Sequence, residues 1–301
     1  MAIAKSEYLE ASIRGRWSTS ETTWGSEVLG GISLPLEDAV LLKINPVKVR
    51  WEGDMAYGYP DENVSAVCPI GQTVTVAYRT PIFPEIAPRI ASAITRSGDI
   101  LRSFTFQKGH PTLSTIITDY QATGCKLGDL TITSDMSSPL VIAEMNFTGY
   151  KATESLTLSN TPAPTTPFRT RSTTVTVGTA ITKFDSLVIR MTNDLSPGPP
   201  NVSGYIGYLD EHFRHASVEL TFPQAARTYV TEHINLTTTT QYNVVVVVGN
   251  GTNQLTFTAS KSIFEGDPIQ EVSVKGVRKL RLTFKAKAAG VGTGTWTLVY
   301  T

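Results

Sequence analysis

The chain of 301 residues contains little charge, and the charge that it has is balanced. Charged residues make up 17% of the sequence, with 26 basic and 26 acidic side chains, against about 25% in a typical soluble domain. Sparse and balanced charge gives no bulk attraction to nucleic-acid phosphates or to an anionic membrane surface. A protein that binds either one through a strongly basic surface is therefore not expected.

Long apolar runs are also missing from the sequence. The longest, residues 244–248, has the length of a β-strand, whereas a membrane helix needs about 18 apolar residues. Residues 1–7 lack the apolar core of a signal peptide. We therefore expect a soluble protein that folds in the cytoplasm, with no membrane partner.

Cysteine is scarce. Cys68 and Cys125 are the only two, and they lie far apart in the sequence. So few cysteines, in a chain without a secretory signal, predict reduced and buried thiols rather than a disulfide scaffold.

The four histidines include one suggestive pair. His212 and His215 form an H-x-x-H pattern beside Asp210 and Glu211, and a metal site needs converging donors of this kind. No further ligand is signalled, so solvated or interface histidines are the preferred interpretation. The sequence has no nucleophile elbow, phosphate-binding loop, dinucleotide fingerprint or zinc-protease motif. We expect no enzymatic activity, no catalytic or metal site, and no cofactor.

What the sequence does contain is strand-forming residues and turns, in an arrangement that occurs twice. Threonine, valine, isoleucine, glycine and proline are abundant, as is typical of pleated strands and their turns. Residues 73–78 alternate like a strand and lead to Pro84, and residues 217–222 lead in the same way to Pro223. Two more strong β-runs follow in each half. The pattern indicates a duplicated unit, and the alternative is a coincidence of the kind that any β-rich chain of this length can show.

A short helix is predicted after each of the two prolines. Apolar residues recur there at a spacing of four, which marks one face of an amphipathic helix. They are Ile86, Ile90 and Ile94 in the first half and Ala226, Val230 and Ile234 in the second. Proline suits the first turn of a helix.

The spacing of these signals divides the chain into four parts. Residues 1–35 are polar and irregular and predict an N-terminal arm, residues 36–158 a first module, and residues 173–301 a second module. Residues 159–172, rich in proline and threonine, predict the linker between them. The fold class is therefore mainly β: two tandem β-sandwich or barrel modules, each with a short flanking α-helix.

Within these modules we expect a strand over residues 39–51 in which Pro46 is an interruption or a bulge, and a hairpin with its loop at residues 135–139. Residues 193–210, which contain three prolines, predict a long loop in the second half.

Two loops carry large side chains among glycine and proline. Met55, Tyr57 and Tyr59 lie in the first, and Tyr205 and Tyr208 lie in its counterpart. Aromatic residues are enriched at interface anchors, so these five are the candidate contacts between subunits or rings. The alternative is that they fold back on their own domain.

Several segments, taken in order, resemble the tail tube proteins of long-tailed, siphovirus-like bacteriophages. The resembling segments are residues 21–25 (ETTWG) followed by Leu34 and Pro35, residues 103–109 (SFTFQKG), residues 120–132 (YQATGCKLGDLTI), residues 147–149 (FTG) and residues 184–195 (FDSLVIRMTNDL). These segments are spread over residues 21–195, and the resemblance fades after Asn193.

The resemblance implies a structural protein of the virion tail, assembled in the host cytoplasm. Members of the family fold as β-sandwich or barrel modules with a flanking helix. Their modules close into rings, the rings stack, and inner strands of neighbouring modules pair into one barrel. The implied partners are copies of the chain itself, other tail proteins (tape measure, tail terminator and distal tail) and double-stranded DNA, which passes through the channel without specific binding. Each lysine that faced the DNA would add affinity through counterion release, so a channel without cationic clusters is favoured.

A duplicated module then predicts the number of chains in a ring. Six modules per ring with two modules per chain require three chains, a trimer with pseudo-sixfold symmetry, whereas a spurious duplication would require six chains. Two other classes remain open. A two-domain β-sandwich module that binds carbohydrate or a receptor would stay a small oligomer, and a capsid or decoration protein would form or bind closed shells rather than filaments.

Overall fold

A computed structural model of the chain describes residues 14–28, 31–34, 41–50, 69–97, 100–109, 120–154, 166–181, 184–198, 205–223, 241–249, 251–264, 270–274, 277–286 and 296–301. The fold is mainly β, as predicted, and the pairings between its strands are antiparallel. The described part contains one α-helix, α1 (Ala87–Ile94), and a short 3-10 helix at Thr170–Ser172.

The strands follow the chain in two groups. In the first half they are β1 (Arg14–Ser20), β2 (Gly31–Leu34), β3 (Leu41–Arg50), β4 (Pro69–Pro81), β5 (Arg96–Ser97), β6 (Ile100–Leu101), β7 (Phe104–Gly109), β8 (Tyr120–Asp135), β9 (Ile142–Gly149) and β10 (Lys151–Glu154). In the second half they are β11 (Thr174–Val177), β12 (Thr179–Ile181), β13 (Ser186–Pro197), β14 (Leu209–Pro223), β15 (Tyr242–Gly249), β16 (Gln254–Phe264), β17 (Gln270–Val274), β18 (Val277–Ala286) and β19 (Thr297–Tyr300).

Eight strands form one sheet that runs through both halves of the chain, here called the long sheet. Its order is β3-β4-β9-β8-β13-β14-β18-β17. The first four strands come from the first half and the last four from the second. The hydrogen-bonded network therefore continues across the predicted domain boundary through the β8·β13 pair.

Two smaller sheets, here called the side sheets, each belong to one half. The first has the order β2-β1-β7-β8-β10, and the second has the order β12-β11-β15-β16-β19. One strand in each half passes from the side sheet into the long sheet: β8 does so as a single strand, and the end of β16 pairs with β18. The strand orders of the two side sheets correspond strand for strand.

The hydrophobic core contains buried residues from the long sheet and from both side sheets. Alternation in the sequence produces this arrangement, because successive side chains of a strand point to opposite faces; β9, for example, alternates buried and exposed positions. In the first half Trp17 is fully buried, stacked on Phe106 at 5.3 Å and edge-on to Phe104 at 5.7 Å and Phe147 at 5.6 Å. In the second half Phe257 stacks with Trp296.

The expectation of an irregular N-terminal stretch is wrong for residues 14–20 and 31–34, which are β1 and β2. Strand β1 is largely buried despite its polar composition, because its polar side chains have hydrogen-bond partners inside the fold. Arg16 donates a hydrogen bond to Gln107 at 3.2 Å, and the Ser18 hydroxyl accepts one from the Thr105 amide at 2.8 Å. Polar groups can be buried in this way when their hydrogen bonds are satisfied.

Pro46 is neither an interruption nor a bulge, since β3 runs through it as ten residues and the register of the β3·β4 pair shifts only between Val49 and Arg50. Among the described residues β3 pairs only with β4, and an edge strand tolerates proline, which has no backbone donor. The hairpin around residues 135–139 is confirmed by the β8·β9 pair. The long loop expected over residues 193–210 is too long, because β13 continues to Pro197 and β14 begins at Leu209.

The predicted first helix is confirmed, with residues 84–86 forming the turn that precedes α1. The predicted second helix, over residues 226–234, lies outside the described residues. The end of the predicted linker packs on the first half: Phe168 is fully buried, its amide donates to the Ile82 carbonyl at 2.7 Å, and its own carbonyl accepts from the Val141 amide at 3.1 Å.

Candidate assembly surfaces

The two halves meet along the β8·β13 pair, a ladder of seven opposed residues. Residues 129–135 of β8 lie opposite residues 186–192 of β13. On the core side of the ladder, Ile132 lies opposite Ile189 and Leu130 lies opposite Met191, and all four side chains are buried. The junction is therefore a backbone ladder backed by apolar packing.

A buried carboxylate reinforces this junction. Glu211, whose side chain is 7% exposed, accepts hydrogen bonds from the Lys126 ammonium at 2.7 Å and from the Leu101 amide at 2.7 Å. The guanidinium of Arg96 donates to the neighbouring His212 carbonyl at 3.0 Å. The carboxylate of Glu211, in the second half of the chain, thus accepts its hydrogen bonds from donors in the first half.

Helix α1 belongs to the first half in sequence but contacts strands β16 and β19 of the second half. Arg214 links the two: its guanidinium donates to the Ile94 carbonyl at 3.1 Å and lies over the Trp296 ring at 4.1 Å from the centroid. Burial, assisted by the nearby charge of Arg96, lowers the pKa of Arg214 to about 10. The side chain therefore remains a cation at neutral pH, in position for both contacts.

The long sheet has two edges that differ in sequence. Among the described residues β3 pairs only with β4, and β17 pairs only with β18. An unpaired edge presents a row of backbone donors and acceptors that another strand can complete. These two edges are the surfaces through which the long sheet can be extended.

The face of the long sheet that points away from the core carries charged side chains of both signs in contact with one another. Two arginines share Glu219, which accepts a hydrogen bond from Arg190 at 3.1 Å and forms an ion pair with Arg281 at 3.2 Å. The other pairs are Arg79 with Glu144 at 2.8 Å and Lys279 with Asp185 at 3.0 Å. Each of these cations therefore has a carboxylate beside it.

The structure describes two of the five loop residues that the sequence singles out. Tyr205 is half-buried and packs within the chain, with its ring 5.5 Å from that of Tyr150 and 5.8 Å from the Lys151 ammonium. Tyr208 is 48% exposed and lies against Gly198. Met55, Tyr57 and Tyr59 lie outside the described residues, so the contact role of all five stays a prediction.

The histidine pair lies within β14, where His212 and His215 are both exposed. Across the described part of the chain, no three metal-binding side chains come together, and no helix is long and apolar enough to cross a membrane. Cys125 is a free, fully buried thiol, and burial together with the charge of Glu21 raises its pKa well above the ordinary value. Cys68 lies outside the described residues.

The described residues thus define a mainly β protein with an antiparallel long sheet, whose outermost described strands are β3 and β17. The chain belongs to the phage tail tube protein family, since the family model for phage tail tube proteins matches residues 13–286. No individually curated protein matches it. Membership makes it a structural protein of the virion tail, and in this family such proteins assemble with copies of themselves and with other tail proteins.

Sequence reasoning missed the residues that join the two halves. Glu211 attracted attention only as a neighbour of the histidine pair, and Lys126 only as part of the segment at residues 120–132. Their contact spans 85 positions of sequence, and no local pattern signals a pairing over that distance.

Proposed function

We propose that three chains close into a ring, that each chain supplies two neighbouring modules, and that stacked rings form the tail tube that conducts the viral genome. The modules are residues 36–158 and 173–301, joined by residues 159–172. Assembly takes place in the host cytoplasm, and the finished tube contacts the tape measure, tail terminator and distal tail proteins.

The repeated strand order carries this proposal. Strands β3-β4-β9-β8 and strands β13-β14-β18-β17 are the two halves of the long sheet, with four strands each. Each group is backed by a side sheet of corresponding order, to which β1 and β2, although they precede residue 36, contribute in the first module. A chain with two such modules fills two of six places in a ring. Closure of the sheet also removes the exposed edges that would otherwise aggregate.

The charged face of the long sheet supports its assignment to the channel. A lysine or arginine that contacts a phosphate releases counterions and so adds affinity for DNA. On this face Arg79 lies beside Glu144, and Arg190 and Arg281 share Glu219, which lowers the net positive potential that a passing phosphate meets there. His215 and Lys285 line a pocket with Arg190 on the same face. Double-stranded DNA would therefore move through the channel without specific binding.

We assign contacts between rings or subunits to the loops that carry Met55, Tyr57, Tyr59, Tyr205 and Tyr208. The exposed ring of Tyr208 supports this assignment, because large exposed side chains bury the most apolar area when a second surface covers them. Tyr205 contributes less, since its ring already packs against Tyr150.

Cryo-electron microscopy of tubes formed by the purified chain tests the proposal. We expect hollow filaments whose rings contain three chains and six similar modules. Six chains per ring would overturn the two-module assignment. Concentrated protein that stays a small oligomer, or that forms closed shells, would overturn the tube itself.

A further inference from the structure

We propose that a pocket on the charged face of the long sheet, which points away from the core, binds one phosphate group. The pocket lies between strands β13, β14 and β18, and its volume is about 310 Å³, at the lower end of the range for small-ligand sites, about 300–1,000 Å³. Its lining residues are Arg190, Thr192, His215, Ala216, Ser217 and Lys285. The site belongs to the single chain and goes beyond the proposed function, which concerns assembly.

The strand register places the polar side chains of the pocket side by side. In one row Arg190 of β13 lies opposite Ser217 of β14, and Ser217 lies opposite Lys285 of β18. In the next row Thr192 lies opposite His215. Neighbouring strands are about 4.8 Å apart, so the backbones that carry the two cations are about 10 Å apart. Their long side chains can therefore close on one anion between them.

The donors in these two rows match the oxygens of a phosphate group. The guanidinium of Arg190 presents a planar fork that can hold two phosphate oxygens at once. The ammonium of Lys285 adds a second charge and three donors. The hydroxyls of Thr192 and Ser217 and a ring N–H of His215 are further donors. None of the six lining residues is acidic, so an anion in the pocket meets donors from three strands.

Arg190 can bind an anion although it already contacts a carboxylate. One of its nitrogens donates to Glu219 at 3.1 Å, whereas a guanidinium has five N–H donors. Glu219 also forms an ion pair with Arg281 at 3.2 Å, so two arginines share its single charge. Arg190 therefore keeps part of its charge, and further donors, for an anion in the pocket.

Carboxylates surround the pocket but do not line it. Asp129 of β8 lies opposite Thr192, and Asp194 lies two residues farther along β13. Together with Glu219 they confine the positive potential to the pocket itself. The ligand that fits this arrangement is one phosphate group held by direct hydrogen bonds, rather than a polyanion attracted to a broad basic surface.

In the proposed tube the pocket gives the channel one phosphate contact per chain. This consequence rests on the proposed assignment of the charged face to the channel. A backbone phosphate of the DNA that enters the pocket releases counterions, and such a contact reads no sequence. It would slow the duplex more at low salt than at high salt, and a free phosphate ion in the same pocket would block it.

Titration of the unassembled chain with inorganic phosphate tests the site. The chain has four histidines, so the carbon-bound ring protons give few NMR signals, and His215 is identified by the signal that is lost in His215→Asn. At constant pH, and against sodium chloride of equal ionic strength, we expect phosphate to shift the His215 signal along a saturable curve. His212 is exposed on the same strand but is not a lining residue, so its signal should stay in place.

Two substitutions remove the charges of the pocket, and a third is their matched control. Arg190→Gln and Lys285→Gln should each weaken phosphate binding about tenfold or more, because each removes charge-assisted hydrogen bonds. Arg79→Gln should leave the titration curve unchanged. Arg79 lies on the same face in the first half, its side chain is 51% exposed like that of Arg190, and it also contacts a glutamate. Circular dichroism should show that all three variants keep the fold of the parent.

A short DNA duplex then identifies the source of the phosphate. A duplex that shifts the His215 signal of the parent, and shifts it less in Lys285→Gln, assigns the pocket to a backbone phosphate. A duplex without effect, beside saturable binding of inorganic phosphate, assigns the pocket to a free phosphate ion. Both results support the site.

Other outcomes overturn the site. They are equal shifts of His212 and His215, a response that does not saturate, and an effect of Arg79→Gln as large as that of Arg190→Gln, since each indicates diffuse attraction of anions to the charged face. The titration uses the unassembled chain. A chain that forms no tubes therefore overturns the proposed function alone, and a failed titration overturns the phosphate site alone.

Discussion

Glu211 shows how much a single side chain contributes to the contact between the halves. It is buried with Lys126, whose side chain is 10% exposed, and the two charges are 2.7 Å apart. Burying either charge alone, away from water, would cost free energy because the charge loses its hydration. Here each charge faces the other, and Glu211 also accepts a hydrogen bond from the Leu101 amide.

We therefore expect Glu211→Ala to lower the free energy of unfolding of the subunit by about 3–5 kcal/mol, because it leaves the Lys126 ammonium buried without a carboxylate, with the Trp24 ring 5.7 Å away as its remaining contact. Chemical denaturation of the unassembled subunit measures the effect. Glu144→Ala is the control: it removes an exposed pair with Arg79 and should cost no more than about 1 kcal/mol. Equal losses in the two variants would contradict the role of Glu211.

The same residue shows where prediction from sequence stops. The local sequence reveals Glu211 beside His212, and it cannot reveal that Lys126 lies within hydrogen-bond distance, since that contact depends on the β8·β13 pairing. Ile90, by contrast, was predictable as a buried helical residue, because its neighbours at a spacing of four are part of the same short segment.

At the scale of elements, the strands that alternate regularly were predictable and those that bury polar side chains were not. The alternation in β9 follows directly from its sequence, whereas β1 places Arg16 and Ser18 inside the fold on hydrogen bonds to distant residues. The correspondence between the side sheets was equally hidden, because the sequence signals of duplication concerned strands β4 and β14 and the prolines after them.

The prediction at the scale of elements concerns the two segments that contain Tyr57 and Tyr208. We expect Tyr57→Asp and Tyr208→Asp to leave soluble rings that no longer stack, because a charge replaces an apolar contact that ring stacking would bury. Negative-stain microscopy and sedimentation measure the tube fraction. Val299→Asp is the control, since Val299 is as exposed as Tyr208 but lies in strand β19 of a side sheet. Normal tubes from both tyrosine variants would remove the loops from the stacking contact.

At the scale of the whole molecule, the long sheet determines the size of the assembly. In the proposed ring, three copies of the eight-stranded sheet would give a barrel of 24 strands, and with the strand tilt that is usual in closed barrels its opposite backbones would lie about 45–50 Å apart. Barrels of 16–18 strands already leave an aqueous channel. A barrel of this size therefore leaves room for a DNA duplex after its side chains are counted.

The two edges of the long sheet are unlike, since β3 and β17 differ in sequence. In the proposed ring each junction would therefore join unlike edges, and such head-to-tail contacts close into a ring without two-fold symmetry. The two faces of such a ring differ, so rings that stack face to back give the tube a polarity, and one end of the tube presents a surface that the other end lacks.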